Sequence, residues 1–539
     1  MVMNKKWKFR TSYKKNKVNT LDIPMEKIKN FNIILYRSSI WVEPYYWASR
    51  YHSRWTCNSL DNVLSVWNFA TRNMQRAIDI YDFDKKILKI PIGFGLDEVL
   101  SYLENHQEWI GDVKEVIPNN ITFIDKRKDY VKPIHVEFEM KADIRDDYQK
   151  DAINFLLNVD SHNKLLSLGT GYGKTFCAIY CICKKQVPAI IISANLSKQW
   201  IERIKEYTKV SDKEIVEVRG MKSIEKILNS EPNKDVPFFV SSTTTLNMYV
   251  NQGGNLDKLF QKMGVGIKVF DEAHTFYSQN AKLDVNSNTV ETYYLTATPQ
   301  RSNNEERKVF DRIFKHVPIH GIHTHYINKH YIIRVVNYNT YPKSNDVLAC
   351  LRTTNKFFSP IAYSQYIFSN KEKSFFYMGM IKYFVDQLMK EEDMKIIIIL
   401  PLLEHINIIQ NFLSSFNNVR YKVSQYTSAI DIEKRESQLE ADVILSTLNS
   451  LKEGRDVKGL RAIFCLTSFS STLIAQQLLG RLRPISGKNT YYYDFADVGF
   501  PKMKKQRDSR KNEFLMRKQN VQLKNITQEE VYDYMKGQI

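Results

Sequence analysis

Apolar residues along this chain fall into short dense runs separated by segments of helical period. KLLSL (Lys164 to Leu168), AIIIS (Ala189 to Ser193), VPFFVSS (Val236 to Ser242), GIKVF (Gly266 to Phe270) and YYLTA (Tyr293 to Ala297) are mainly apolar rather than alternating. Such runs read as strands buried on both faces, the mark of a parallel sheet. Helical patterns separate them, one reaching Ala178 and Tyr180 and another from Leu196 to Tyr207. A second series begins near Lys371, with KIIIILP (Lys395 to Pro401), DVILST (Asp442 to Thr447), AIFCL (Ala462 to Leu466) and YYYDF (Tyr491 to Phe495). Strands alternating with helices predict two α/β units, at 144–315 and 371–500. The stretch 316–370 is basic and aromatic, and reads as a linker or insertion. Residues 501–539 read as a basic C-terminal tail, helical or mobile.

The start of the chain has another character. Residues 21–143 read as a separate α+β accessory domain. Its predicted strands are FNIILY (Phe31 to Tyr36) and KILKIPIGF (Lys86 to Phe94), and its predicted helices Leu64 to Ile80 and Leu96 to Leu103. Trp41, Trp47, Trp55, Trp67 and Trp109 lie here, and filling a small core explains them better than base stacking. Residues 1–20 carry Lys and Arg but no Asp or Glu, and read as a mobile arm.

Charge narrows the partner. The 539 residues carry 78 Lys plus Arg against 59 Asp plus Glu, a formal net charge of +19. That excess points to a polyanion. An anionic membrane is the weaker choice, because no apolar run approaches the roughly 18 residues of a span. The basic N-terminus has no apolar segment behind it, so it does not read as a signal peptide. Six cysteines without a CxxC pair argue for a reducing compartment, hence a cytoplasmic location, and against a disulfide framework or zinc module. Cys177 and Cys181 share a helix face but lack further ligands, and read as core. His316, His320, His323, His325 and His330 fit no zinc spacing.

Two segments carry chemistry. LLSLGTGYGKT (Leu165 to Thr175) is an apolar strand, a Gly-rich turn and a helix start. Its glycines let backbone N–H groups wrap phosphates. Lys174 would reach the β/γ-phosphates and Thr175 would hold Mg²⁺. The usual pattern has Gly where this chain has Leu168. About a hundred residues later, Asp271-Glu272-Ala273-His274 follows the strand GIKVF. There Asp271 would hold the metal and Glu272 would polarise the attacking water.

GTGYGKT, DEAH, YLTATP (Tyr294 to Pro299) and QLLGRLR (Gln477 to Arg483) occur in that order. With them the chain resembles a superfamily 2 DNA helicase of the DEAD/DEAH class, above all the small viral and phage recombination helicases of the UvsW type. The resemblance covers roughly residues 144–499. It implies an α/β fold with two tandem RecA-like parallel-sheet domains that clamp ATP and Mg²⁺. It implies an ATP hydrolase that unwinds or remodels branched or forked DNA in replication, recombination or repair. The alternatives are an RNA helicase or transcript-release ATPase, or the motor subunit of a restriction-type nuclease. A monomer in the cytoplasm, the host's if the source is viral, is expected.

The resemblance also implies residue roles. Gln149 would read adenine, and Gly169, Thr170, Gly171, Tyr172 and Gly173 would cradle phosphate. Ser193, Asn195 and Gln199, within Ser193 to Trp200, would contact one nucleic-acid strand. Thr244, in Ser242 to Leu246, and Thr447 would do the same. Gly454 and Asp456 would touch nucleotide. His274, Thr296, Thr298 and Gln477 would couple hydrolysis to movement. Arg481 and Arg483 match the arginine-finger motif, with the second arginine one place early, and Arg481 is favoured as the finger. A guanidinium supplied from a second domain would make hydrolysis depend on domain closure.

Overall fold

The computed structural model describes residues 30–43, 65–68, 73–76, 81–82, 85, 87–104, 120–169, 171–194, 197–275, 277–297, 304–321, 331–352, 357–416, 421–435, 437–452, 457–469, 471–483, 485, 487–516 and 519–538. The expected arm (1–20), Trp47, Trp55, Trp109, His323, His325 and His330 lie outside them.

The N-terminal region contains β1 (Asn30–Leu35), β2 (Ser39–Glu43), β3 (Ser65–Asn68), β4 (Asn73–Arg76), β5 (Tyr81–Asp82), β6 (Ile87–Pro91) and β7 (Asn120–Asp125). Five of these form a mixed sheet in the order β5-β6-β2-β1-β7. Where the helix Leu64 to Ile80 is expected, the described residues 65–68 and 73–76 are strands. β3 and β4 pair antiparallel there, with Val66 opposite Gln75 and Trp67 opposite Met74. Val66 and Trp67 favour strands, and Asn68 and Asn73 are weak helix formers. The mixed sheet is welded to the first α/β unit. Ile33, Ile40, Val42, Ile90 and Phe94 share one core with Leu283, Phe310, Ile313 and Val317. Ser38 Oγ donates to the carbonyls of Asp284 (3.0 Å) and Ser287 (2.7 Å).

The first unit is built on β8 (Asn163–Ser167), β9 (Ala189–Ser193), β10 (Ile215–Val218), β11 (Phe238–Ser242), β12 (Ile267–Phe270), β13 (Glu291–Thr296) and β14 (Ile319–Gly321). Every pairing is parallel, in the order β10-β11-β9-β12-β13-β8-β14. The second contains β15 (Tyr331–Tyr338), β16 (Ile396–Leu400), β17 (Val423–Tyr426), β18 (Val443–Thr447), β19 (Ala462–Cys465), β20 (Thr490–Asp497) and β21 (Asn520–Asn525). These are also all parallel, in the order β17-β18-β16-β19-β20-β15-β21. Numbered within each unit, the two orders are identical. This is the expected pair of tandem RecA-like domains with an N-terminal α+β region.

Two expectations about the connecting segments need correction. The stretch 316–370 is no simple linker: β14 closes the first sheet and β15 lies inside the second, between β20 and β21. Its YIIRVVNY run is buried at Tyr331, Ile333, Val335, Val336 and Tyr338. The segment 501–539 is likewise no loose tail. β21 pairs with β15, and the helix Gln528–Lys536 packs on the helix Lys371–Leu388. A Cβ added at Gly379 would meet Val531 Cγ1 at 2.8 Å. Arg510, 1% exposed, grips Asp494 with two bonds of 2.9 and 2.7 Å. Arg507 is buried too, so these two residues hold the second unit together rather than face phosphates. Lys502, Lys504 and Lys505 remain exposed.

Candidate active site

β8 ends at Ser167, and the chain turns through 168–173 into the helix Lys174–Lys185. Gly171 and Gly173 hold φ of +95° and +84°, a region costly for any residue with a Cβ. Close approach adds to the need for glycine. A Cβ on Gly173 would sit 2.5 Å from Gln149 Nε2, and one on Gly171 would collide with the Arg483 guanidinium. Lys174 is 9% exposed and its Nζ donates to the Leu168 carbonyl across the turn, at 3.0 Å. Leu168 itself is fully buried, so the leucine in place of glycine serves the core while its carbonyl closes the turn. Tyr172 packs edge-on against Tyr148, 5.2 Å between centroids. Thr175 is half-buried at the helix start. Thr170 lies outside the described residues.

Two strands away in the sheet, β12 delivers the carboxylates. The Asp271 amide donates to the Ile192 carbonyl at 2.9 Å, tying it to β9. Its Oδ2 accepts from Trp200 Nε1 at 2.7 Å and its Oδ1 from the Glu272 amide at 2.9 Å. Burial and the neighbouring Glu272 charge push the Asp271 pKa up to about 6, against the pull of Trp200 and Lys174. Glu272 has a φ of +46°. Its Oε2 lies 3.3 Å from His274 Nδ1 yet takes no hydrogen bond. His274 Nδ1 is instead 2.8 Å from Thr296 Oγ1 at the end of β13, and Nε2 is 3.2 Å from Thr275 Oγ1. The structure thus brings together His274 and Thr296, two of the residues expected to couple hydrolysis to movement, while Thr298 lies outside the described residues.

The residues present fit a magnesium nucleotide. Gln149 is fully buried; its Oε1 accepts the Arg145 amide at 3.0 Å, while Nε2 has no partner. An orphaned buried donor and an orphaned carboxylate oxygen are costly unless a ligand meets them. Both lie beside the glycine turn or the metal-type aspartate. Thr175 and Asp271 would supply oxygen ligands of the kind Mg²⁺ takes.

The second unit contributes at this point. Past the helix Thr472–Leu479, on which Gln477 is half-buried, Arg481 donates to the Leu451 carbonyl. Arg483 reaches the phosphate turn at Gly171, and the Gly480 carbonyl lies near the same glycine. The structure therefore puts Arg483, rather than the favoured Arg481, against the first unit. Gly454 and Asp456 lie outside the described residues.

The expected strand contacts divide. Ser193 is buried at the end of β9, and Asn195 lies outside the described residues. Gln199 is half-buried with an unpartnered Oε1. Ser242 caps the helix Thr243–Asn251 through the Thr245 amide, which leaves Thr244 exposed. Thr244 lines an open cavity of about 340 Å³ with Asn247, Met248, Ser278, Gln279 and Lys282. Thr447 Oγ1 accepts the Ser450 amide at 3.2 Å, the same capping device. Trp200 was read as part of a strand contact; it is buried and holds Asp271. Only its position, a tryptophan one helical turn past an apolar strand, hinted at a core role.

Residues 146–306 match the DEAD/DEAH box helicase family. A protein of Acanthamoeba polyphaga mimivirus, named "Putative ATP-dependent RNA helicase L396", is 24% identical over 374 residues, covering 66% of this chain and 64% of that one. The chain thus spans about two-thirds of that relative's length. Among solved structures, Saccharomyces cerevisiae Dbp5 bound to RNA and ADP BeF3 is 14% identical (TM-score 0.46), over 72% of this chain and 91% of that chain. T4 UvsW is also 14% identical (TM-score 0.34), over 93% and 100%. Among the described residues no helix is long and apolar enough to cross a membrane. The DEAD/DEAH box match covers less than a third of this chain and falls on the first α/β unit.

Proposed function

We propose that this chain is an ATP-driven helicase that couples hydrolysis to unwinding or remodelling of branched DNA. The observation that carries the motor reading is the approach of Arg483 from the second unit to the Gly171 turn of the first. Hydrolysis that needs both units together is hydrolysis that can drive their movement.

In this reading the backbone N–H groups of Gly169 to Gly173 and the Lys174 ammonium hold the phosphates. Gln149 Nε2 meets an acceptor on the base. Thr175 and Asp271 would hold Mg²⁺, which would supply positive charge to neutralise the phosphates. Glu272 orients the attacking water and takes its proton. Arg483 stabilises charge developing on the γ-phosphoryl group, and Arg481 fixes the loop that presents it. The His274–Thr296 contact relays the state of Glu272 to the end of β13. Thr244, Gln199 and Thr447 grip one strand, mainly through its phosphates, so sequence preference is slight.

A second reading, an RNA helicase, is favoured by the printed name of the viral relative. Strand displacement measured on forked DNA, forked RNA and blunt duplex separates the two. Displacement of forked DNA alone supports the first; displacement of RNA alone supports the second. ATP turnover that no nucleic acid stimulates overturns both.

A further inference from the structure

Two kinds of work meet in the first unit. Gln199, assigned to the strand under the motor reading, lies on the helix Ser197–Tyr207 that follows β9, and Asp271 directly follows the neighbouring strand β12. Trp200 joins them. It sits on the first turn of the helix Ser197–Tyr207, 1% exposed, in a core shared with Ile191, Ile204 and Val240. A buried indole N–H needs an acceptor, and any backbone carbonyl would serve packing alone. Here the acceptor is Asp271 Oδ2, at 2.7 Å. With the Glu272 amide on Oδ1, both carboxylate oxygens are held and the plane of the group is set. One turn of helix therefore carries both Gln199 and Trp200, and Trp200 holds the Asp271 carboxylate.

We infer that Trp200 is a positioning residue that transmits nucleic-acid contact at Gln199 to the Asp271 carboxylate, and so to its grip on the divalent ion. The inference rests on the motor reading. A side chain this buried in a close-packed core cannot turn independently of its helix. A strand that draws on the start of that helix therefore moves the indole with it, and the hydrogen bond passes the shift to Asp271.

The test uses the full chain with ADP and Mn²⁺, the bound ion being counted by electron paramagnetic resonance, with and without a single-stranded oligonucleotide. In the wild type the oligonucleotide changes Mn²⁺ affinity. Trp200→Phe keeps an aromatic ring but removes the donor; it weakens Mn²⁺ binding by about tenfold, the scale of one hydrogen bond to a charged group, and abolishes the oligonucleotide effect. Trp200→His loses more packing but keeps a ring N–H. A donor role ranks the His variant above the Phe variant for Mn²⁺ affinity, and a pure packing role ranks them the other way. Wild-type Mn²⁺ behaviour in Trp200→Phe, or the reversed ranking, overturns the inference while leaving the motor reading in place. A wild type that binds Mn²⁺–ADP but shows neither an oligonucleotide effect nor stimulated turnover overturns the motor reading, and the inference with it.

Discussion

The two seven-stranded sheets share one strand order, yet the turns after their equivalent strands differ. β8 and β15 occupy equivalent places, each sixth in its sheet. After β8 the chain makes a glycine turn and starts a helix at Lys174; after β15 it passes Asn339 to Lys343 and starts a helix at Ser344. The first turn uses glycine for its left-handed residues. The second puts Tyr341 in that region, at φ +51°, with its side chain 73% exposed. No run of N–H groups backed by glycine exists there to wrap an anion. The strands that end at Ser242 and Thr447 show the opposite outcome. They too occupy equivalent places, and both keep a hydroxyl that caps the following helix. Topology supplies the positions, and the turn residues decide which positions do chemistry.

The sharpest way to break that comparison is to remove the lysine from each turn. Lys174→Ala should lower ATP turnover at least a thousandfold, because charge stabilisation of this kind is worth several kcal/mol in the transition state. Lys343→Ala, in the equivalent turn of the second unit, should leave turnover at the wild-type rate. Steady-state phosphate release on both variants decides it, and equal losses would mean that the second turn also serves the nucleotide.

The arginines come next. Arg483→Ala should cost about 10³ in nucleic-acid-stimulated turnover, in line with an arginine finger. Arg481→Ala should cost less, since its partner is the Leu451 carbonyl. The reverse order in single-turnover hydrolysis would return the finger to Arg481.

Stability separates the units in another way. Arg510→Ala leaves Asp494 buried and unpaired in the second sheet, which should cost roughly 3–5 kcal/mol. Denaturant unfolding followed by circular dichroism and tyrosine fluorescence should show that loss. Deleting everything after Phe500 should unfold the second unit outright, because β21 and Arg510, the partner of the buried Asp494, leave with it.

How far the sequence carried these conclusions depended on the signal. Strands buried on both faces were legible as apolar runs, and the site motifs as strand–turn–helix patterns. β15 was missed because Arg334 and Asn337 interrupt its apolar pattern and basic residues surround it. β21 was missed because it lies at a sheet edge and its residues are largely exposed. The strands β3 and β4 were missed because each is only four residues long, too short for a clear alternating pattern. Trp200 and the ranking of Arg483 over Arg481 depend on contacts distant in sequence, and no local pattern encodes those.

The acid side of the site offers a smaller effect with a definite sign. In the metal-free protein Asp271 is held near 6, by burial first and the Glu272 charge second. Since the proton competes with the ion, the Mg²⁺ needed for half-saturation should rise as pH falls through about 6. Glu272→Gln removes the like charge and lowers the Asp271 pKa, so the same rise should begin at a lower pH. Titrations of Mg²⁺ against a fluorescent ADP analogue between pH 5 and 8 measure both. An unchanged limb in Glu272→Gln would show that burial alone sets the shift. That same raised pKa destabilises the metal-free fold as pH climbs from the unfolded value, near 3.9, towards 6, since the unfolded carboxyl gives up its proton first.

The smallest expected effect returns to the two turns. Tyr341→Gly relieves a left-handed non-glycine residue, worth roughly 1–2 kcal/mol, but gives the unfolded chain more freedom, worth roughly 0.5–1 kcal/mol the other way. The net should be stabilising by under about 1 kcal/mol, with no loss of nucleotide affinity. Gly173→Ala, at the matching turn of the first unit, gains the same left-handed penalty and drives a methyl against Gln149 Nε2. It should destabilise the fold and weaken nucleotide binding together. Paired melting curves with and without ADP test this. A Tyr341→Gly variant that loses its response to ADP would show that the turn after β15 still works with the nucleotide, and the division of labour between the two sheets would have to be redrawn.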